Sequence, residues 1–261
     1  MNSTTPTERP IILITNDDGI AAPGIRNLLE AVQDLGDIYV VAPDSPQSGM
    51  GHAITISRPL RLNQVQIFGE IPAYQCTGTP VDCVKLAVDK VLHRRPDICL
   101  SGINHGANHS INIIYSGTMS AAMEAAIEGI NSAGFSLLDY NFDADFTLAR
   151  KVVREVALKL LSMERGQGVL FNVNIPRIAE KDSKGLKICR QANAKWQENF
   201  DERLDPMGKK YYWLTGEFQN RDHGEDTDVW ALANGYSSVV PVQYDLTHHA
   251  LKAQLEKEWQ P

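Results

Sequence analysis

The 261-residue chain has no apolar run long enough to cross a bilayer. Stretches such as Ile11–Ile14 and Val239–Val242 fall far short of the ~20 residues a spanning helix needs, so no membrane partner is expected. The polar start, Met1 to Pro10, holds no apolar segment of the signal-peptide kind, and a cytoplasmic location is expected. Cysteine is scarce and unpaired in pattern. Cys76, Cys83, Cys99 and Cys189 form no CxxC motif, which speaks against a zinc site and for buried, reduced thiols. A basic excess is missing too: 25 basic residues stand against 32 acidic ones, for a net charge of −7. That balance argues against a nucleic-acid groove. It leaves room for a small anionic substrate, provided a divalent cation supplies positive charge. The turn after the first predicted strand lacks GxGxxG, so a dinucleotide-dependent oxidoreductase has no support, and it carries DD rather than the DxD of haloacid-dehalogenase-type phosphatases.

What is present reads as an α/β protein. Ile11–Thr15 is apolar and β-branched, as expected of a strand buried on both faces. Ile25, Leu28, Leu29, Val32 and Leu35 follow at helical spacing, and 37–42 (DIYVVA) predicts a second strand. This β-α-β order opens a doubly wound, mostly parallel, Rossmann-like sheet. The alternation continues: a helix over Pro80–Leu92, a strand over Asp97–Leu100, and a helix over Gly117–Ile130 with a small-residue face. A strand over Ser132–Leu138, an amphipathic helix over Leu148–Leu161 and a strand over Val169–Ile175 come next. After Pro176 the rhythm changes. Residues 177–225 read as a β-hairpin extension with strands over Leu186–Gln191 and Tyr211–Phe218. Ser237–Val242 reads as a strand held to an edge by Pro241, and Thr247–Trp259 as a C-terminal helix. The expected division is a catalytic core over 1–180 and a hairpin, last strand and helix over 181–261, where oligomer contacts are expected.

Three oxygen-rich, glycine-containing segments follow predicted strands, where ligands bind in open α/β sheets. Asn16-Asp17-Asp18-Gly19 follows the first; its paired carboxylates could converge on a hard divalent cation, or simply cap a polar turn. Ser45–His52 follows the second, and Ser101–Asn108 the strand at 97–100. Tyr115-Ser116-Gly117-Thr118 opens the small-faced helix. Ser116 fits an N-cap, and the N–H groups at Gly117 and Thr118 could receive a phosphate, aided by the helix dipole. His52 and His105 sit in these segments and could protonate a leaving alkoxide or serve structure alone. Asp17 and Asp18 are the nearest candidates for a base, although a carboxylate holding a metal is a poor one. A non-catalytic nucleotide-binding module is the alternative, but it would need no carboxylate pair.

The segments ILITNDDGIAAPG, VVAPDSPQSGMGHAIT, CTGTPVDCVKLA, DICLSGINHGAN and YSGTMSAAMEA together resemble the SurE survival-protein family of nucleotidases. The resemblance implies that Asp17, Asp18, Ser48 and Asn104 hold one divalent metal ion per subunit, and oxygen ligands suit Mg²⁺ or Mn²⁺. It places Asn108 and Ser116 beside the phosphate. It implies hydrolysis of nucleoside monophosphates, with other phosphate esters or short polyphosphate as further substrates, by a homodimer or homotetramer with exchanged C-terminal segments. One departure is visible. Many members carry an acid a few positions before YSGT, where this chain has His109-Ser110-Ile111-Asn112, so any role for that acid lapses here.

Overall fold

The computed structural model describes residues 9–259; the polar start read above lies, apart from Arg9 and Pro10, outside them. Strand β1 (Ile11–Thr15) is buried along its whole length, with helices on both sides. Ile12 and Ile14 pack toward α1 (Pro23–Val32) and α4 (Thr147–Ser162), whereas Leu13 joins Cys83, Val84 and Ala121 on the opposite face. Because successive side chains point to opposite faces, a strand sandwiched this way must be apolar throughout, and this is the pattern the sequence shows.

β2 (Asp37–Pro43) and β5 (Ile98–His105) flank β1, both parallel to it. β4 (Ala73–Cys76) adds beyond β2 in parallel, and β3 (Leu62–Val65) closes that edge antiparallel. On the other side come β6 (Asn131–Leu137) and β7 (Leu170–Ile175), again parallel. The last two are β11 (Ser237–Val242), antiparallel to β7, and β8 (Leu186–Ile188), parallel to β11. The order β3-β4-β2-β1-β5-β6-β7-β11-β8 reverses direction at β1, so the crevice between the carboxyl ends of β1 and β5 is the topological switch point. Helices α2 (Pro80–Leu86) and α3 (Gly117–Ile127) cover the face opposite α1 and α4. Thr79 and Asp82 cap α2 reciprocally, with Pro80 at the first helical position, and Ala87–Val91 prolongs it as a π-helical turn.

The structure departs from expectation in several places. β5 does not stop at Leu100 but runs on through Asn104 to His105, across a register shift between Ser101 and Asn104 and a cis peptide between Gly102 and Ile103. Leu186–Ile188 does not belong to the hairpin; it extends the main sheet. The hairpin pairs β9 (Ala194–Leu204) with β10 (Lys210–Asn220), and Pro206 and Gly208 lie in its turn. β9 escapes sequence reading because nearly all of it is exposed, so no burial imposes a period-two pattern on it. β11 is internal rather than an edge strand, yet Pro241 is tolerated: β8 pairs only with Ser237–Val239, so no neighbour on that side needs its missing N–H. α5 (Asp228–Ala233) packs near β11, and α6 (His249–Trp259) carries no buried residue.

Candidate active site

The turn after β1 is built by its own residues. Asn16 donates through Nδ2 to the Gly19 carbonyl at 2.9 Å, and Gly19 takes a φ of 95°, a region open to glycine. This turn presents Asp17 and Asp18 at the switch point. The loop after β2 is latched onto it, for the Gln47 N–H donates to the Asp17 carbonyl at 2.8 Å, which brings Ser48 alongside. A second latch ties Gly51 N–H to the Tyr115 carbonyl at 3.3 Å. A third joins His52 Nε2 to Glu124 of α3 at 2.8 Å, with Lys85 on the other oxygen of the same carboxylate. His52 is therefore engaged as a tether of this loop, and it does not line the cavity.

Asp17, Asp18, Ser48, Asn104, Asn108 and Ser116 all line one cavity of about 870 Å³. Asp17 is only 4% exposed. Burial pushes its carboxyl up to about 6; the Thr118 hydrogen bond opposes this and the neighbouring Asp18 charge adds to it. Asp18 is raised by burial too, with partial relief from His105. Asn104 spends its amide Nδ2 on the Gly106 carbonyl at 2.8 Å, leaving the amide oxygen as the end available to a cation.

Helix α3 begins against Asp17. The Ser116 hydroxyl accepts from Met119 N–H at 3.0 Å as an N-cap. Gly117 is required by proximity, because a Cβ there would stand 2.7 Å from Cβ of Asp17. Thr118 is fully buried, and both its hydroxyl and its backbone N–H are directed at the Asp17 carboxylate. Gly117 and Thr118 thus do not line the cavity; Thr118 serves Asp17 rather than offering its donors outward. The helix dipole still favours negative charge at this end.

Asn108 is buried in a network that sequence reading missed. Its N–H donates to Asn174 Oδ1 and its Nδ2 to Ser136 Oγ, both at 2.8 Å, while Asn172 donates to its carbonyl at 2.8 Å. Asn174 in turn donates to Asn172 at 3.0 Å. The signal was available: asparagines two apart in the apolar stretch LFNVNI share a strand face, and buried polar groups need partners. A second wall of the cavity was also missed. It is formed by Trp196, Glu198 and Leu214 of the hairpin with Asn112 and Tyr115, and the exposed hairpin strands carried no signal for it.

A buried carboxylate, Asp17, next to a half-buried one, Asp18, is costly unless something of opposite charge compensates the pair. The Asp18 Oδ2 atom is buried without a hydrogen-bond partner, as is Asn16 Oδ1 in the same turn. Among the described residues no cluster of three or more His, Cys, Asp or Glu forms, so the donor set is two carboxylates with neutral oxygens. That set suits a hard ion. Among those residues, too, no helix is long and apolar enough to cross a membrane.

The family model for survival protein SurE matches residues 12–198. The 5'-nucleotidase SurE of Flavobacterium psychrophilum is 60% identical over 94% of this chain and 96% of its own length. That of Christiangramia forsetii is 60% identical, covering 94% and 95%. The crystal structure of the SurE protein from Aquifex aeolicus superposes with a TM-score of 0.81 at 38% identity, covering 95% of this chain and 99% of that one. With the carboxylate pair at the switch point, the capped helix abutting it and these likenesses along nearly the whole length, the chain belongs to the SurE family.

Proposed function

We propose that the protein is a phosphomonoesterase that hydrolyses nucleoside monophosphates as a 5'- or 3'-nucleotidase and accepts short polyphosphate as well. The observation that carries this reading is the buried Asp17, set against the N-terminus of α3, beside the half-buried Asp18 in a cavity large enough for a nucleotide. The names of the relatives, 5'-nucleotidases at up to 60% identity, support it.

Asp17, Asp18, Ser48 and Asn104 would hold one divalent ion, Mg²⁺ or Mn²⁺, in each subunit. Such an ion, when bound, supplies Lewis-acid neutralisation of phosphoryl charge and a more acidic water. The remaining work belongs to the chain. Thr118 fixes the Asp17 carboxylate in place, with its hydroxyl on Oδ1. Asn108, held rigid by Asn174 and Ser136, lies with Ser116 at the phosphate end, where the dipole of α3 favours the anion. His105 borders the same cavity, but its ring packs edge to face on Phe146 at 5.4 Å and both ring nitrogens are buried, so the ring serves structure and the leaving alkoxide takes its proton from water. The proton of the attacking water passes toward Asp17 or Asp18, the nearest carboxylates.

A homodimer or homotetramer is part of this reading. Phe200, Leu204, Tyr212 and Trp213 are exposed along the hairpin, and Leu251 and Trp259 along α6, which is more apolar surface than a free ribbon and helix commonly show. Four buried cysteines without a disulfide fit a reducing, cytoplasmic setting.

The test is phosphate release from a panel of nucleoside monophosphates with Mg²⁺, Mn²⁺ or chelator, comparing wild type with Asp17→Asn. Metal-dependent turnover that collapses in the variant supports the reading. Tight nucleotide binding without turnover under any metal replaces it with a binding module.

A further inference from the structure

The wall of the cavity that the hairpin contributes has a different chemistry from the carboxylate turn. Trp196 of β9 is fixed there: its indole Nε1–H donates to Asn112 Oδ1 at 2.9 Å. Its ring meets Phe218 edge to face at 5.7 Å, and Phe218 in turn meets His109 at 5.0 Å. Trp196 nevertheless remains 42% exposed. A tryptophan held from its edge and backed by a second ring, while still open to a cavity, is a preorganised flat surface. Leu214 adds apolar area beside it, and Glu198 brings a negative charge. That carboxylate opposes a phosphate beside the hairpin wall, so a second anionic group is excluded there and a neutral aromatic one is not.

We infer that Trp196 is the platform on which the nucleobase stacks, positioned by Asn112. This deepens the phosphomonoesterase reading and rests on it. One cavity joins the carboxylate pair to the indole, so a substrate with its phosphate at Asp17 and Asp18 reaches Trp196 with the group that the phosphate carries. Stacking needs only a π-face and does not distinguish sharply among bases, so the site favours nucleotides as a class over base-free phosphate esters. Asn112 has a further consequence. A neutral amide holds the indole N–H without adding a second anion near the cavity; an acid at this position would hold it at the cost of one.

The experiment compares AMP with ribose 5-phosphate, which has the same phosphate and sugar and no base. In Trp196→Ala the KM for AMP is expected to rise roughly 5- to 150-fold, the range that base–aromatic stacking covers. For ribose 5-phosphate KM should stay within about twofold and kcat should hold for both. Trp196→Phe should recover most of the loss, and Asn112→Ala should shift the AMP KM in the same direction by less. A second readout needs no turnover. AMP should quench tryptophan fluorescence in the wild type, ribose 5-phosphate should not, and Trp196→Phe should lose the quenching. Equal losses for both substrates would overturn the proposal, because they would mean a displaced hairpin rather than a lost platform. So would an unchanged KM for AMP in Trp196→Ala. Failure of the wild type to hydrolyse either ester would instead strike the phosphomonoesterase reading, and the fluorescence comparison would still decide the platform.

Discussion

Replacing Asp17 by Asn should stabilise the protein without metal, and by an amount that depends on pH. Burial raises the folded-state carboxyl from its ordinary 3.8 to about 6. The folded protein therefore binds this proton more tightly than the unfolded chain. Its contribution to stability is fully present below the unfolded value near 4 and is lost as pH rises through about 6. At about 1.4 kcal/mol for each pH unit, the ionised Asp17 costs about 3 kcal/mol at pH 8. Asn keeps an acceptor for the Thr118 hydroxyl and carries no charge to desolvate. In chelator at pH 8 the variant should unfold about 3 kcal/mol later in urea, or about 6–12 °C higher on heating for a domain of this size. The gap should close toward pH 4. Adding Mg²⁺ or Mn²⁺ should reverse the order once the ion stands at about 1,000 times its Kd, where it adds about 4.1 kcal/mol to the form that binds it. A gap that did not change with pH, or a variant less stable than wild type at pH 8 in chelator, would refute the argument that an uncompensated buried carboxylate is stored at this site.

Other outcomes follow from close contacts and buried partners. Gly117→Ala should keep the fold but lower phosphate release at least tenfold, because the new methyl would stand 2.7 Å from Cβ of Asp17; kinetics alongside circular dichroism decide it. Gly24→Ala should destabilise by about 3 kcal/mol in urea unfolding, since its Cβ would fall 1.9 Å from the Ile103 carbonyl oxygen, on the strand that carries Asn104. Asp228→Ala should cost about 3 kcal/mol, with Asp228→Asn between it and wild type. The fully buried carboxylate accepts from the N–H groups of Ser110, Ala192 and Val229, and each buried donor left alone costs about 1–3 kcal/mol. In sedimentation at micromolar concentration the wild type should run as a dimer or tetramer, and a monomer would remove the oligomeric reading.

How much of this was legible in the chain depends on burial. β1 could be read because a strand covered on both faces must be apolar at every position, and Ile11–Thr15 is nearly so. The amphipathic spacing of α1 and α4 was legible because each buries one face, and the start of α2 at Pro80 because a first helical residue needs no N–H. The carboxylate pair and Ser116 were legible because they follow a recognisable strand or open a recognisable helix, whereas Ser48, Asn104 and Asn108 were singled out of their segments by the resemblance to the SurE family. They do line one cavity. The continuation of β5 through a register shift was not legible, because Ser101 to Asn104 has the composition of a loop and only pairing with β6 makes it a strand.

The sequence by itself determined the alternation of strands and helices and the polar residues at their junctions, because local periodicity and capping record which faces will be buried. Only the tertiary structure decided what those residues do to one another. It turned Thr118 onto Asp17 and His52 onto Glu124. It put Asn172 and Asn174 behind Asn108, and brought Trp196 to Asn112 across 84 residues of chain. Each of these depends on contacts between segments distant in sequence, and their energies come from desolvation and from hydrogen bonds formed on assembly.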